Sequence, residues 1–194
     1  MANTDDYFKG ATTRFGIDLN EFTLFWRGND NADGMTRGKV TPQEFWLSAI
    51  KRFKLKNAEN FDFLESWMDD YKPITEIHEL VKELSKKYKI GIVSNLYPGM
   101  FPALTEKGKI ADVNYSSVIL SYEVGLNKKD KHIYELATKE TGLKPEEIFY
   151  IDDRKDFLEN AKFIGWQTFW FDEKNIVNSV NKIRELLLQS INRV

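Results

Sequence analysis

Cysteine is absent from the 194 residues, which excludes disulfides, zinc–thiolate sites and thiol catalysis together. Long apolar runs are missing as well, since no stretch approaches the roughly 20 residues of a membrane span. The opening Met1-Ala2-Asn3-Thr4-Asp5-Asp6 lacks the basic-then-apolar order of a signal peptide. Neither sign of charge dominates: 28 Lys and Arg stand against 30 Asp and Glu, and the cations are spread rather than blocked. That speaks against a dedicated nucleic-acid or polybasic membrane surface. The expectation is a cytoplasmic protein that binds neither nucleic acid nor membrane. What the chain does have is apolar mass, 42% of residues with 14% aromatic, enough for one sizeable domain or a core with a smaller companion.

The two ends of the chain follow different grammars. Residues 1–71 look helical, with no alternation of strand and helix. Their best local signal is Thr41-Pro42-Gln43-Glu44, a capping box with proline at the first helical position. Phe45, Trp46, Ala49, Ile50 and Phe53 follow at helical spacing, which predicts packing between helices. From residue 72 to 194 strands and helices alternate. Residues 73–88 form an amphipathic helix and Lys89 to Val93 a buried strand ending at Ser94-Asn95. Residues 117–121 make a second strand, 131–141 a helix stopped by Gly142, and 148–151 a third strand. A helix over 156–164, a fourth strand over 167–171 and a helix over 175–189 complete the set. Repeated β–α units imply an α/β, doubly wound parallel sheet, here with an α-helical cap region ahead of it.

The chemistry gathers at strand ends, where open α/β sheets place their ligands. Phe149-Tyr150-Ile151 runs straight into Asp152-Asp153. Adjacent carboxylates repel, and a cation is the usual reason to keep them together. The plainer alternative is a solvated turn with Asp152 or Asp153 capping the next helix. Ser94-Asn95 offers a hydroxyl and an amide to an anion, and Lys128 a compact positive charge. Each has an ordinary reading too, a loop residue or a solvated charge run. Together, after successive strands, they fit a phosphate with Mg²⁺.

Residues 73–172 resemble the core of haloacid dehalogenase-like (HAD) hydrolases, many of them phosphatases. The resemblance rests on Ile90-Gly91-Ile92-Val93-Ser94-Asn95, on Gly125-Leu126-Asn127-Lys128 through Ile133-Tyr134, and on Ile151-Asp152-Asp153 with Ala161 and Gly165. Two departures stand out: Lys129 and Lys131 replace prolines, and Phe157 replaces an asparagine. The resemblance implies that Ser94 holds the transferring phosphoryl group with help from Asn95. It also implies that Lys128 neutralises nucleophile and phosphate. Asp153 would be the main Mg²⁺ carboxylate, with Asp152 as a co-ligand or a support behind it. The implied substrate is a small phosphorylated metabolite, reached through an aspartyl-phosphate, and a homodimer is left open. A non-catalytic relative and a 2-haloacid dehalogenase are the alternatives; metal dependence separates the second.

The family's first motif, Asp-x-Asp-Gly after an apolar strand, has no copy here. Asp30-Asn31-Ala32-Asp33-Gly34 has the residue types at the wrong spacing, and Asp18-Leu19-Asn20 lacks the second acid. Phe22 to Trp26 is a candidate strand ahead of the first of these. In this fold the absent strand lies between those ending at Ser94 and Ile151. Its loss leaves a gap of roughly 10 Å, twice the ~4.8 Å strand spacing. Either the sheet closes, or a segment such as 22–26 fills in, or another chain does. The simplest expectation is the remainder of a longer protein, starting just after the first motif and impaired as written.

Overall fold

A computed structural model describes residues 2–3, 7–28 and 30–188. A two-residue strand, β1 (Ala2–Asn3), pairs antiparallel with β2 (Lys72–Pro73) and ties the start of the chain to the junction between its halves. Between them lie five helices, α1 (Lys9–Phe15), α2 (Leu19–Arg27), α3 (Asn31–Thr36), α4 (Pro42–Phe53) and α5 (Phe63–Asp70). The capping box at Thr41 forms in both directions, with Glu44 N–H donating to the Thr41 hydroxyl and Thr41 N–H to the Glu44 carboxylate. Their apolar faces meet in one aromatic core in which Phe8, Phe22, Phe45, Trp46, Phe63 and Trp67 are all buried. Trp46 satisfies its indole N–H on the Ala58 carbonyl at 2.9 Å.

Phe22 to Trp26 is not a strand. It lies inside α2, which Asp18 opens by accepting the Glu21 N–H at 2.9 Å. Phe22, Phe25 and Trp26 recur at i, i+3 and i+4, so the stripe faces the aromatic core as a helix would.

After β2 come α6 (Thr75–Ser85), β3 (Ile90–Ser94), α7 (Met100–Glu106), β4 (Tyr115–Leu120), α8 (Ser121–Val124) and α9 (His132–Thr141). A 3₁₀ turn then leads into β5 (Phe149–Asp152), α10 (Lys155–Phe163), β6 (Gln167–Trp170) and α11 (Ile176–Leu188). The pairings are parallel, as alternating β–α units require: β3 with β4, and β5 with β6. Helices cover both faces. On one, Tyr134 of α9 packs edge-on against Tyr150 of β5 and Trp166. On the other, Leu80 and Leu84 of α6 meet Phe171, Val180 and Ile183, with Ile90 of β3 and Ile151 of β5 packed against the same cluster. Arg184 of α11 grips Glu83 of α6 with two hydrogen bonds of 2.7 and 2.8 Å.

The sheet neither closes up nor is filled. Among the described residues the four long strands remain two separate pairs, with no strand between β3 and β5. No described helix is long and apolar enough to cross a membrane.

Candidate active site

β5 delivers its chemistry by alternation. Tyr150 and Asp152, two residues apart, share a face and are both buried. The Tyr150 hydroxyl donates to Asp152 Oδ2. Burial above all, and then the neighbouring Asp152 charge, pushes the Tyr150 hydroxyl far above its usual range, so it stays a donor. Asp152 Oδ1 accepts the Arg154 N–H at 2.9 Å. α10 starts beyond this turn, with Arg154 at its cap position, so neither aspartate serves as a helix cap. Arg154 instead reaches forward to Asp156, which holds the guanidinium above its usual range while its own carboxyl is held down.

Lys128 comes from the loop after α8, where Gly125 at φ 69° takes the left-handed turn. Its Nζ lies 2.6 Å from Asp152 Oδ2, with both side chains almost fully buried. The loop is held from three sides. Asn95 Oδ1 accepts the Lys128 N–H at 2.9 Å, and Asn160 donates to the Lys128 and Lys129 carbonyls at 3.2 and 3.1 Å. The Tyr134 hydroxyl donates to the Lys128 carbonyl at 2.9 Å. The Phe157 ring, standing where the resemblance expects asparagine, has the Lys128 ammonium 4.7 Å from its centroid.

Ser94, Asn95, Lys128 and Asp152 are thus brought together at one edge. Ser94 ends β3 opposite Leu120 of β4, with a half-buried side chain whose hydroxyl makes no hydrogen bond among the described residues. The Asn95 carboxamide, by contrast, is occupied within the protein, on Lys128 and on Asn127. Asp153 is half-buried beside them, its carbonyl accepting the Trp170 indole N–H at 2.9 Å. Tyr71, at the junction of the two halves, lies within electrostatic reach of Asp153. Its hydroxyl is pushed up to about 12, mainly by burial, with Asp153 adding to the push.

Asn127 was not marked out by residue type, yet it is the hub of the edge. Buried at 5% exposure, it donates to Thr36 Oγ1 at 3.2 Å and accepts from Asn95 Nδ2 at 3.0 Å. Its N–H donates to Asp130, which Arg37 grips at 2.8 Å. Thr36 ends α3 and Arg37 caps it, so the helical half is bonded directly to the lysine loop. Gly38, at φ +70°, presses so close to α8 that a Cβ would sit 2.3 Å from the Tyr122 carbonyl oxygen. The candidate nucleophile segment has other duties: Asp33 pairs with Arg37 at 2.8 Å, and Asp30 opens α3 in the left-handed region at φ 58°.

No cluster of three or more His, Cys, Asp or Glu suited to a metal occurs among the described residues. Mg²⁺ typically takes one or two carboxylates, with waters and phosphate oxygens completing its octahedron. Asp152 and Asp153 fit that demand in kind, though Asp152 already accepts from three donors.

The family model described as haloacid dehalogenase-like hydrolase matches residues 29–171, well over half of the chain. The chain belongs to the haloacid dehalogenase-like hydrolases. This HAD chain is 30% identical over 180 residues to the rhythmically expressed gene 2 protein of Drosophila melanogaster, covering 88% of the chain and 66% of that protein. It is 26% identical over 91 residues to a D-ribitol-5-phosphate phosphatase of Bacteroides thetaiotaomicron, 44% of each. It is also 25% identical over 101 residues to an (S)-2-haloacid dehalogenase of a Pseudomonas strain, 52% of the chain and 43% of the enzyme. The chain therefore spans 43 to 66% of these curated relatives. A HAD family enzyme of Bacteroides thetaiotaomicron, solved with magnesium and inorganic phosphate, shares the fold. Its TM-score is 0.73 at 18% identity, covering 88% of this chain and 87% of that one.

Proposed function

We propose that this chain is the phosphate-gripping core and cap of a Mg²⁺-dependent phosphatase acting on a small phosphorylated metabolite. The observation that carries the reading is the buried Lys128–Asp152 contact of 2.6 Å between the loop after α8 and the end of β5, with the unengaged hydroxyl of Ser94 at the end of β3. An ammonium has three N–H donors, and Asp152 accepts one, leaving two for phosphoryl oxygens. Ser94 supplies a further donor from β3. Asn95 acts from behind, holding the Lys128 backbone so that the charge needs no rearrangement when a phosphate arrives. Mg²⁺ held by Asp153, with Asp152 as co-ligand or support, would offset charge on the phosphoryl oxygens.

Turnover through an aspartyl-phosphate needs one more group at this mouth. A carboxylate oxygen must attack phosphorus while the P–O bond to the alcohol breaks, and water must then cleave the acyl phosphate. The two candidate acids are held elsewhere, Asp30 at the cap of α3 and Asp33 on Arg37. The chain is therefore expected to bind phosphate without turning it over. The Phe157 ring over Lys128 and the missing carboxylate favour a non-catalytic phosphate binder as the second reading.

Calorimetry with inorganic phosphate, with Mg²⁺ and with chelator, tests the reading. The expected result is Mg²⁺-dependent binding that weakens at least about tenfold in Lys128→Ala and in Asp153→Asn, one charge contact being worth about that factor. A folded wild-type chain that releases no heat at millimolar phosphate with Mg²⁺ sinks it. Hydrolysis of an aryl phosphate that needs Mg²⁺ and vanishes in Asp153→Asn would instead locate a nucleophile within these residues.

A further inference from the structure

The loop that carries Lys128 departs from the family pattern where stiffness matters. Lys129 and Lys131 stand where the resemblance expects prolines, which fix φ and lack an N–H. In their place is a set of hydrogen bonds, one of which a proline could not make. The Lys129 N–H donates to Asn127 Oδ1 at 3.0 Å. The same oxygen accepts Asn95 Nδ2, while Asn95 Oδ1 accepts the Lys128 N–H. Asp130 closes the turn by accepting the Asn127 N–H at 2.9 Å.

Asp130 is also where the helical half takes hold. Its Oδ2 accepts Arg37 Nη1 at 2.8 Å as well as the Asn127 N–H. Arg37 Nη1 reaches the Gly125 carbonyl too, at 3.3 Å, so one guanidinium spans the segment 125–130. Its Nε meanwhile donates to Asp33 of α3 at 2.8 Å. Asp130 first, and Asp33 after it, keep the guanidinium above its usual range. A planar fork gripped on both sides meets the loop in a set geometry, which a flexible ammonium would not do.

We propose that Arg37 is a positioning residue, supplied by the helical half, that holds Lys128 where it grips phosphate. The phosphate in this statement rests on the phosphatase reading above. Arg37 acts through Asp130 and Asn127, whose bonds fix the backbone on either side of Lys128. The two halves are then linked in both directions: lifting α3 from the loop weakens phosphate, and phosphate holds α3 down. Lys107 supplies the contrast. It also ties the halves, from the end of α7 to Glu65 and Asp69 of α5. Among the described residues it bonds to nothing in the lysine loop.

Two measurements on the whole chain test this, with Arg37→Ala, Arg37→Lys and Lys107→Ala. Each alanine variant removes a cation that ties the halves, so looser docking alone would move the two alike. In calorimetry with inorganic phosphate and Mg²⁺, Arg37→Ala should bind at least about fivefold more weakly, the low end of coupling between sites. Lys107→Ala should bind as the wild type does. Arg37→Lys, which keeps a donor for Asp130 but not the fork, should fall between them. Amide exchange followed by NMR needs no phosphate. The amides of Asn127, Lys128 and Lys129 should exchange at least about fivefold faster in Arg37→Ala, and at the wild-type rate in Lys107→Ala. Wild-type phosphate affinity in Arg37→Ala, equal losses in both alanine variants, or unchanged exchange at 127–129 overturns the proposal. A wild-type chain that binds no phosphate sinks the phosphatase reading alone, and the exchange rates still decide whether Arg37 holds the loop.

Discussion

The buried ammonium–carboxylate pair of Lys128 and Asp152 sets the stakes at the level of single residues. With side chains 12% and 5% exposed, neither charge has water to fall back on. Removing one partner of such a pair typically costs about 3 to 5 kcal/mol, because the other is left uncompensated. Lys128→Met should therefore lower the unfolding free energy by about 3 kcal/mol in urea titrations. The double variant Lys128→Met/Asp152→Asn should regain part of that loss, since it leaves no buried charge. If the double variant is no more stable than the single one, the pair is not the source of the loss. His78 offers a pH prediction. Burial lowers its proton affinity, with Lys82 adding to the effect. A His depressed on folding binds its proton more readily when unfolded, so it weakens the fold as pH drops through the ordinary His range near 6.5. His78→Gln should flatten the stability profile between about pH 7 and 5, and thermal melts at four pH values would show it. An unchanged slope would assign the acid sensitivity to other groups.

Among elements, the sequence was most legible where a local rule and the tertiary contacts agree. Thr41 to Glu44 announces α4 and forms its capping box as read. Thr41→Ala should cost about 1 kcal/mol, measurable as a lower Tm, while Glu44 keeps the backbone bond that chiefly holds its carboxyl below the usual range and loses only the hydroxyl's. The alternating strands and helices from residue 72 onward were equally readable, because buried parallel strands are short apolar runs. Phe22 to Trp26 was misread since a five-residue apolar run suits either period. Only Asp18 capping α2, three residues ahead of Glu21, tells them apart. The short helices α3, α7 and α8 have six, seven and four residues, too few to display a period at all. At the candidate site, Ser94 and the aspartate pair were visible as polar residues at the ends of apolar strands, and Lys128 as a cation in the loop that follows the second strand and its short helix. Asn127 and Asn160 were not, because their work is hydrogen bonding across 30 or more residues of sequence, which leaves no local trace.

Across the whole molecule, the helical half is not a detachable lid. Its aromatic core continues into Leu96, Tyr97, Met100, Leu104 and Leu120 of the other half. Trp67, 1% exposed, stacks on Tyr97 with centroids 4.9 Å apart. Trp67→Ala should destabilise by about 3 to 5 kcal/mol. Exchange in both halves should accelerate in that variant; acceleration confined to residues 1–71 would contradict a shared core. The same continuity bears on the contact at Gly38, whose backbone lies flush against the Tyr122 carbonyl. One methyl group there would act as a wedge at the fulcrum between the halves. How tightly the two halves meet at this joint is thus set by the absence of a single carbon atom.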